Sequence, residues 1–151
     1  MKATRFLPLG TLALALTLLP ACINIAGEYH YEEIQRVKSP DGIVDAVLVR
    51  GAGGATTGFS FSVFLVPSGT SFNEKAPAFE KDRAVFSEDH HDGLQLVWQK
   101  PKFLEIRFAK ARIFHFTNFW HSPDVQNYTY VVEVRLVPLD ADTSLTDKDR
   151  S

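Results

Sequence analysis

The length, composition and charge of the chain indicate a single domain and argue against nucleic-acid binding. It has 151 residues, of which 45% are hydrophobic and 23% are charged, and its formal net charge is −2 at pH 7. This length is sufficient for one ordinary domain with a single hydrophobic core. Nucleic-acid binding depends on clustered lysine and arginine, so a weakly acidic chain is a poor candidate for that function.

The first 21 residues have the pattern of a secretory signal peptide. Lys2 and Arg5 precede an almost wholly apolar run over residues 6–19, and the small residue Ala21 comes shortly after it. A membrane-spanning helix needs about 20 apolar residues, which is longer than this run. We therefore predict that residues 1–21 form a signal helix that is cleaved from the mature protein.

The apolar run ends in Leu19-Pro20-Ala21-Cys22, which resembles the lipobox of bacterial lipoproteins. The resemblance implies that the Cys22 thiol accepts a diacylglycerol, with acyl chains such as palmitate, and that Cys22 becomes the first mature residue. Cys22 is the only cysteine of the chain, which suits an attachment point better than a disulfide. Two or three acyl chains would hold the protein firmly on a membrane. Ile23 stands where an aspartate favours the inner membrane, so the resemblance implies the outer membrane, facing the periplasm, if the host has one.

The mature chain is predicted to contain one folded domain. Residues 22–32 are expected to be the lipidated N-terminus and a tether, residues 33–139 an antiparallel β domain, and residues 140–151 a disordered polar tail. Loss of the signal peptide leaves 14 basic and 18 acidic residues, a net charge of −4.

The first half of the domain has the pattern of a hairpin and a third strand. Residues 33–50 are interrupted by Ser39-Pro40-Asp41-Gly42, which is typical of a tight turn. Within the second strand, Asp45 predicts which face is wetter. The glycine-rich residues 51–58 lead into an alternating strand at residues 59–65, and because they contain no lysine they are not a P-loop, so no nucleotide is expected.

The second half continues the β pattern. Residues 67–83 are predicted to be an irregular surface segment, and residues 94–108 a second hairpin around Lys100-Pro101-Lys102. Residues 111–120 and 128–137 are predicted to be the densest core strands. The predicted fold is therefore all-β, a single antiparallel domain with about six to eight strands arranged as a sandwich, a meander or a partly closed barrel.

Three segments of the mature chain resemble a family of small bacterial envelope proteins of unknown function. They are the turn at residues 39–42, the loop at residues 53–58 and the run at residues 112–120. The resemblance covers most of the mature chain, and it implies neither an activity nor a catalytic residue.

Histidine is the natural candidate for chemistry in this chain, because imidazole binds metals and transfers protons near neutral pH. A sheet could bring several such residues together in a metal-dependent hydrolase, and the candidates are His90, His91, Asp92, His115 and His121. Their spacing matches no known ligand pattern, and adjacent histidines on a strand point to opposite faces. We therefore expect no catalytic residue, metal or cofactor, and keep the hydrolase as the alternative function.

The aromatic residues of the C-terminal half allow two interpretations. They fill the core between packed sheets, or some of them form an exposed partner surface made of Phe119, Trp120, His121 and Tyr128. The leading functional prediction is a lipid-anchored envelope protein that acts as a non-enzymatic binding or assembly module. Its partner would be another envelope protein or a glycan, in addition to the membrane that anchors Cys22.

Overall fold

The structure is a computed structural model that describes residues 29–52 and 58–139. The predicted signal peptide, Cys22, the polar tail and residues 53–57 of the glycine loop lie outside the described residues. Within the described part, no helix has the length and apolar character needed to cross a membrane.

The described residues form an all-β domain, as predicted. Their nine strands are β1 (His30–Lys38), β2 (Val44–Ala52), β3 (Phe59–Pro67), β4 (Phe86–Glu88), β5 (Gln95–Lys100), β6 (Phe103–Phe108), β7 (Ile113–Phe116), β8 (Phe119–Trp120) and β9 (Val132–Pro138). β1 begins at His30, inside the stretch that was predicted to be a tether. Three short 3-10 turns complete the secondary structure, at Pro77–Phe79, Lys81–Arg83 and Gln126–Tyr128.

The strands are arranged in two sheets. The first has the order β1-β2-β3-β4-β7 and is antiparallel throughout, and the second has the order β5-β6-β9-β8. Within residues 29–52 and 58–139, neither sheet closes into a barrel. The prediction of a wholly antiparallel fold is wrong at one place, because β6 and β9 are parallel. The chain between them passes through the edges of both sheets, and this long connection gives β9 the same direction as β6.

The main hydrophobic core lies between the two sheets. The first sheet contributes alternate residues of β2 and β3, and the second contributes Leu96, Leu104, Ile106, Val132 and Val134. A smaller core lies on the other face of the first sheet, where residues of the segment between β3 and β4, Phe79 among them, cover Val47, Val49, Phe64 and Val66. β2 and β3 are therefore buried on both faces.

The turn between β1 and β2 forms as its sequence predicts. Gly42 adopts a φ of 72°, which favours glycine, and its N–H donates to the Ser39 carbonyl at 2.9 Å. The Asp41 carboxylate accepts a hydrogen bond from the Ser39 hydroxyl at 2.7 Å. This hairpin fixes the register of the first sheet.

Asp45 does not mark a wet face, contrary to the sequence prediction. Its side chain is only 2% exposed and accepts hydrogen bonds from Ser68 Oγ at 2.9 Å and from Arg36 at 3.0 Å. The segment that follows β3 covers this face, so residues 67–83 are not merely surface. A buried carboxylate is tolerated at this position because it is paired and hydrogen-bonded.

The aromatic run at residues 112–120 does not form one core strand. The Thr117 N–H donates to the Val85 carbonyl of the first sheet at 2.9 Å, whereas the next residue, Asn118, accepts from the Val134 N–H of the second sheet at 2.8 Å. The chain therefore changes sheets between these two residues. The run supplies an edge strand to each sheet, β7 before the crossing and β8 after it, and the prediction of dense core strands is wrong for this segment.

Candidate functional site

A groove with a volume of about 440 Å³ lies beside the point where the chain changes sheets. This size is in the range of small-molecule and peptide sites. The groove is lined by the end of β3, by the segment before β4, by β7 and β8 and by residues 121–128. It contains all four residues of the predicted partner surface, which are Phe119, Trp120, His121 and Tyr128.

The four residues differ in how far they reach into solvent. Phe119 is 54% exposed and Tyr128 is 52% exposed. The His121 and Tyr128 rings meet edge to face with centroids 5.4 Å apart. Trp120 is half-buried and packs against the main core, so its truncation should reduce stability. Two large aromatic side chains in the groove are thus exposed, and Trp120 connects the groove lining to the main core.

Tyr128 is presented by a backbone conformation that side chains disfavour. Gln126, Asn127 and Tyr128 have φ values of 47°, 47° and 68°, which place three consecutive residues in the left-handed region. Each such residue costs about 1–2 kcal/mol relative to the right-handed region, and asparagine tolerates it best. Strain of this kind persists only where surrounding contacts impose it, and it is frequent at functional sites.

Contacts on both sides of the turn hold it in place. The Ser122 carbonyl accepts hydrogen bonds from the Val125 N–H at 3.3 Å and the Tyr128 N–H at 3.0 Å. Val125 and Tyr130 are buried in the main core, and the Tyr130 hydroxyl donates to Asp41 at 2.7 Å. Burial, together with this hydrogen bond, raises the pKa of Tyr130 to about 12. The buried anchors on either side force the exposed Tyr128 outward.

Polar groups complete the lining of the groove. Asp82 and Arg83 come from the segment before β4, Asp124 from the loop after β8, and His115 from β7. The site therefore combines aromatic surface with both signs of charge, an arrangement suited to a ligand that has apolar and hydrogen-bonding parts.

The five candidate metal ligands divide between two places. His115 and His121 line the groove, whereas His90, His91 and Asp92 line a separate depression beside β3. There the His91 ring stacks on Phe61 with centroids 4.8 Å apart. Among residues 29–52 and 58–139, no three histidine, cysteine or acidic side chains are placed to hold a metal ion.

His90 interacts with a neighbour instead. His90 Nδ1 and Asp89 Oδ1 form a hydrogen bond of 2.6 Å, which raises the pKa of His90. Asp89 also accepts from the Arg112 backbone N–H at 2.9 Å. This cluster links the loop after β4 to the segment before β7.

Glu88 is an anomalous residue that no pattern in the sequence selects. It is fully buried at the end of β4, and neither carboxylate oxygen has a hydrogen-bond partner among the described residues. Phe61 of β3 and Ile113 of β7 flank it in the sheet. Burial, aided by the charge of Asp89, raises the pKa of Glu88 to about 7.

Sequence reasoning also missed the polar lining and the left-handed turn. Asp82 and Arg83 lie in a segment without periodic pattern, so nothing in the sequence places them near Phe119. Asn127 gave a weak signal, because asparagine is enriched in the left-handed region.

Comparison with known proteins gives no further guidance, since no protein-family model, no curated protein and no solved structure matches this chain. The described residues by themselves show an all-β domain of two sheets, with a groove lined by aromatic residues beside the sheet edges.

Proposed function

We propose that this protein is a lipid-anchored envelope protein whose β domain binds a partner through the aromatic groove, without catalysing a reaction. The observation that carries the proposal is the exposure of Phe119 and Tyr128 on one groove, with Tyr128 held outward by a strained turn. Rings contribute to stability mainly through burial, so these two exposed rings are available to a partner. Clustered exposed aromatics are a common feature of binding surfaces.

Anchoring is supported by the resemblance of residues 19–22 to a lipobox. It would hold the domain at the outer membrane, facing the periplasm, where another envelope protein or a glycan is within reach of the groove. The test is incorporation of labelled fatty acid into the full chain and into Cys22→Ser. We expect label in the wild type alone, and equal labelling of both chains would remove the anchor from the proposal.

Binding is tested by crosslinking from inside the groove. A photoreactive phenylalanine analogue replaces Phe119 in the full chain, and intact envelopes are irradiated. Phe59 is the matched control, because it is also phenylalanine, is 56% exposed and lies outside the groove. We expect a discrete crosslinked species from position 119 and not from position 59.

Digestion of that species with protease or with glycan hydrolases then distinguishes a protein partner from a glycan. Equal crosslinking from positions 119 and 59 would contradict a specific groove, and so would its absence from both.

A further inference from the structure

The outer edge of β7 is open within the part of the chain that the structure describes. β7 pairs with β4 on one side, and no described strand pairs with its other side. All four of its side chains are exposed, and Phe114 is 55% exposed. An edge of this kind presents unpaired backbone groups to another chain.

The opposite edge of the same sheet is protected. β1 carries four charged side chains along nine residues, namely Glu32, Glu33, Arg36 and Lys38. Charges on an edge strand oppose pairing with other strands, whereas Ile113–Phe116 contains no acidic residue, lysine or arginine. Each edge also has a bulge, at Ile34 in β1 and at Phe114 in β7, so the bulges do not distinguish the two edges. The difference in charge distinguishes the two edges.

We propose that β7 pairs antiparallel with β7 of a second copy of this chain, around a two-fold axis at His115. The sequence is nearly palindromic about that residue. A two-fold axis there places Phe114 opposite Phe116 of the second copy, and Ile113 opposite Thr117. Aromatic pairs and pairs of β-branched residues are favourable neighbours across antiparallel strands.

The charges flanking the strand permit this pairing. Arg112 precedes β7 and Asn118 has already left the first sheet, so the pairing is confined to residues 113–117, which carry no acidic, lysine or arginine side chain. Because the first sheet is antiparallel throughout, pairing of two copies would join two five-stranded sheets into one continuous antiparallel sheet. A symmetric interface of this kind uses the same patch on both chains and is closed, so it stops at a dimer.

The test uses the full chain in detergent, with two differently tagged copies expressed together. A photoreactive phenylalanine analogue at position 116 should crosslink one tagged copy to the other, with the crosslink inside residues 112–118. Phe114→Lys should lower the yield by about tenfold, because the charge enters a symmetric interface twice. Ile34→Lys on β1 is the control, since Ile34 is exposed on the other edge and should leave the yield unchanged.

Three results would overturn the proposal. They are the absence of a crosslink between the two copies, a crosslink from position 116 to a different polypeptide or to residues outside 112–118, and a yield that Phe114→Lys does not change. If Phe114→Lys lowers the melting temperature, Ile113→Lys replaces it, because Ile113 is also exposed on β7 and lies within the same pairing.

Discussion

Two segments of this protein have nearly the same aromatic pattern and opposite environments. The middle of β3 carries Phe61 and Phe64, which are 5% and 4% exposed, although Phe59 at its start is 56% exposed. The segment of β7 and β8 carries Phe114 and Phe119, which are more than half exposed. Composition and alternation do not separate the two segments. Their positions in the sheets separate them, because the middle of β3 lies between β2 and β4 in the first sheet, while β7 and β8 are edge strands of different sheets.

Phenylalanine is therefore packed in the core in the middle of β3 and exposed to solvent in β7 and β8. A central strand has neighbours on both sides, and in β3 both faces are covered as well. At the crossing between Thr117 and Asn118 the chain leaves one sheet for the other, and Phe119 just beyond it lines the groove instead of filling a core.

The largest expected effect on stability comes from truncating a buried phenylalanine of β3. Phe64→Ala should lower the free energy of unfolding by about 3–5 kcal/mol, because it leaves a cavity between well-packed side chains. Phe119→Ala removes the same atoms from a position that is 54% exposed and should cost less than about 1 kcal/mol. Urea unfolding of the full chain in detergent measures both values, and equal losses would contradict the difference in environment.

The second prediction concerns Glu88, which lies where the buried and exposed parts of the first sheet meet. Its pKa of about 7 in the folded state lies above the ordinary value of 4.5. The folded state therefore binds the proton more tightly, and stability should fall as pH rises from about 4.5 to about 7, by on the order of 3 kcal/mol. Glu88→Gln cannot ionise and should lose this dependence.

Unfolding of the wild type and Glu88→Gln at pH 5 and pH 8 checks the sign. The variant should be the more stable of the two at pH 8, with a smaller difference at pH 5. Glu133→Gln, at an exposed site on β9, is the matched control. A wild type whose stability does not fall between pH 5 and pH 8 relative to Glu88→Gln would show that Glu88 keeps its ordinary pKa in the folded state.

The smallest predicted effect is on the turn that displays Tyr128. Gln126→Gly relieves a left-handed residue, worth about 1–2 kcal/mol, but glycine also gains freedom in the unfolded chain, worth about 0.4–1 kcal/mol. The net result should be a stabilisation of roughly 0.5–1 kcal/mol. Loss of stability in thermal unfolding would show that the Gln126 side chain makes a contact that outweighs the strain.

Local patterns predicted the parts of the fold that depend on neighbouring residues. The turn at residues 39–42 and the hairpin of β5 and β6 follow from turn chemistry and alternation, and both are present. The four residues of the predicted partner surface lie in one groove, and their role in binding stays a prediction. The lipid anchor at Cys22 stays a prediction.

The alternation of apolar and polar residues did not predict how distant segments of the chain are placed relative to one another. Nothing local shows that the chain changes sheets after Thr117, that β6 and β9 run parallel, or that Glu88 is enclosed between Phe61 and Ile113. Asp45 illustrates the same limit, since its alternation predicts a solvent-facing residue and only the fold places Arg36 and Ser68 around it.

The central claim is that the exposed aromatic residues serve binding and not stability. It is tested most directly by Tyr128→Ala in the chain that carries the photoreactive residue at position 119. We expect the yield of the crosslinked species to fall by about tenfold or more, since loss of a tyrosine anchor costs on the order of 2 kcal/mol of binding, while the free energy of unfolding changes by less than about 1 kcal/mol. Phe59→Ala, which removes an equally exposed ring elsewhere, should change neither. An unchanged crosslink yield, or a loss of stability as large as that of Phe64→Ala, would contradict the account.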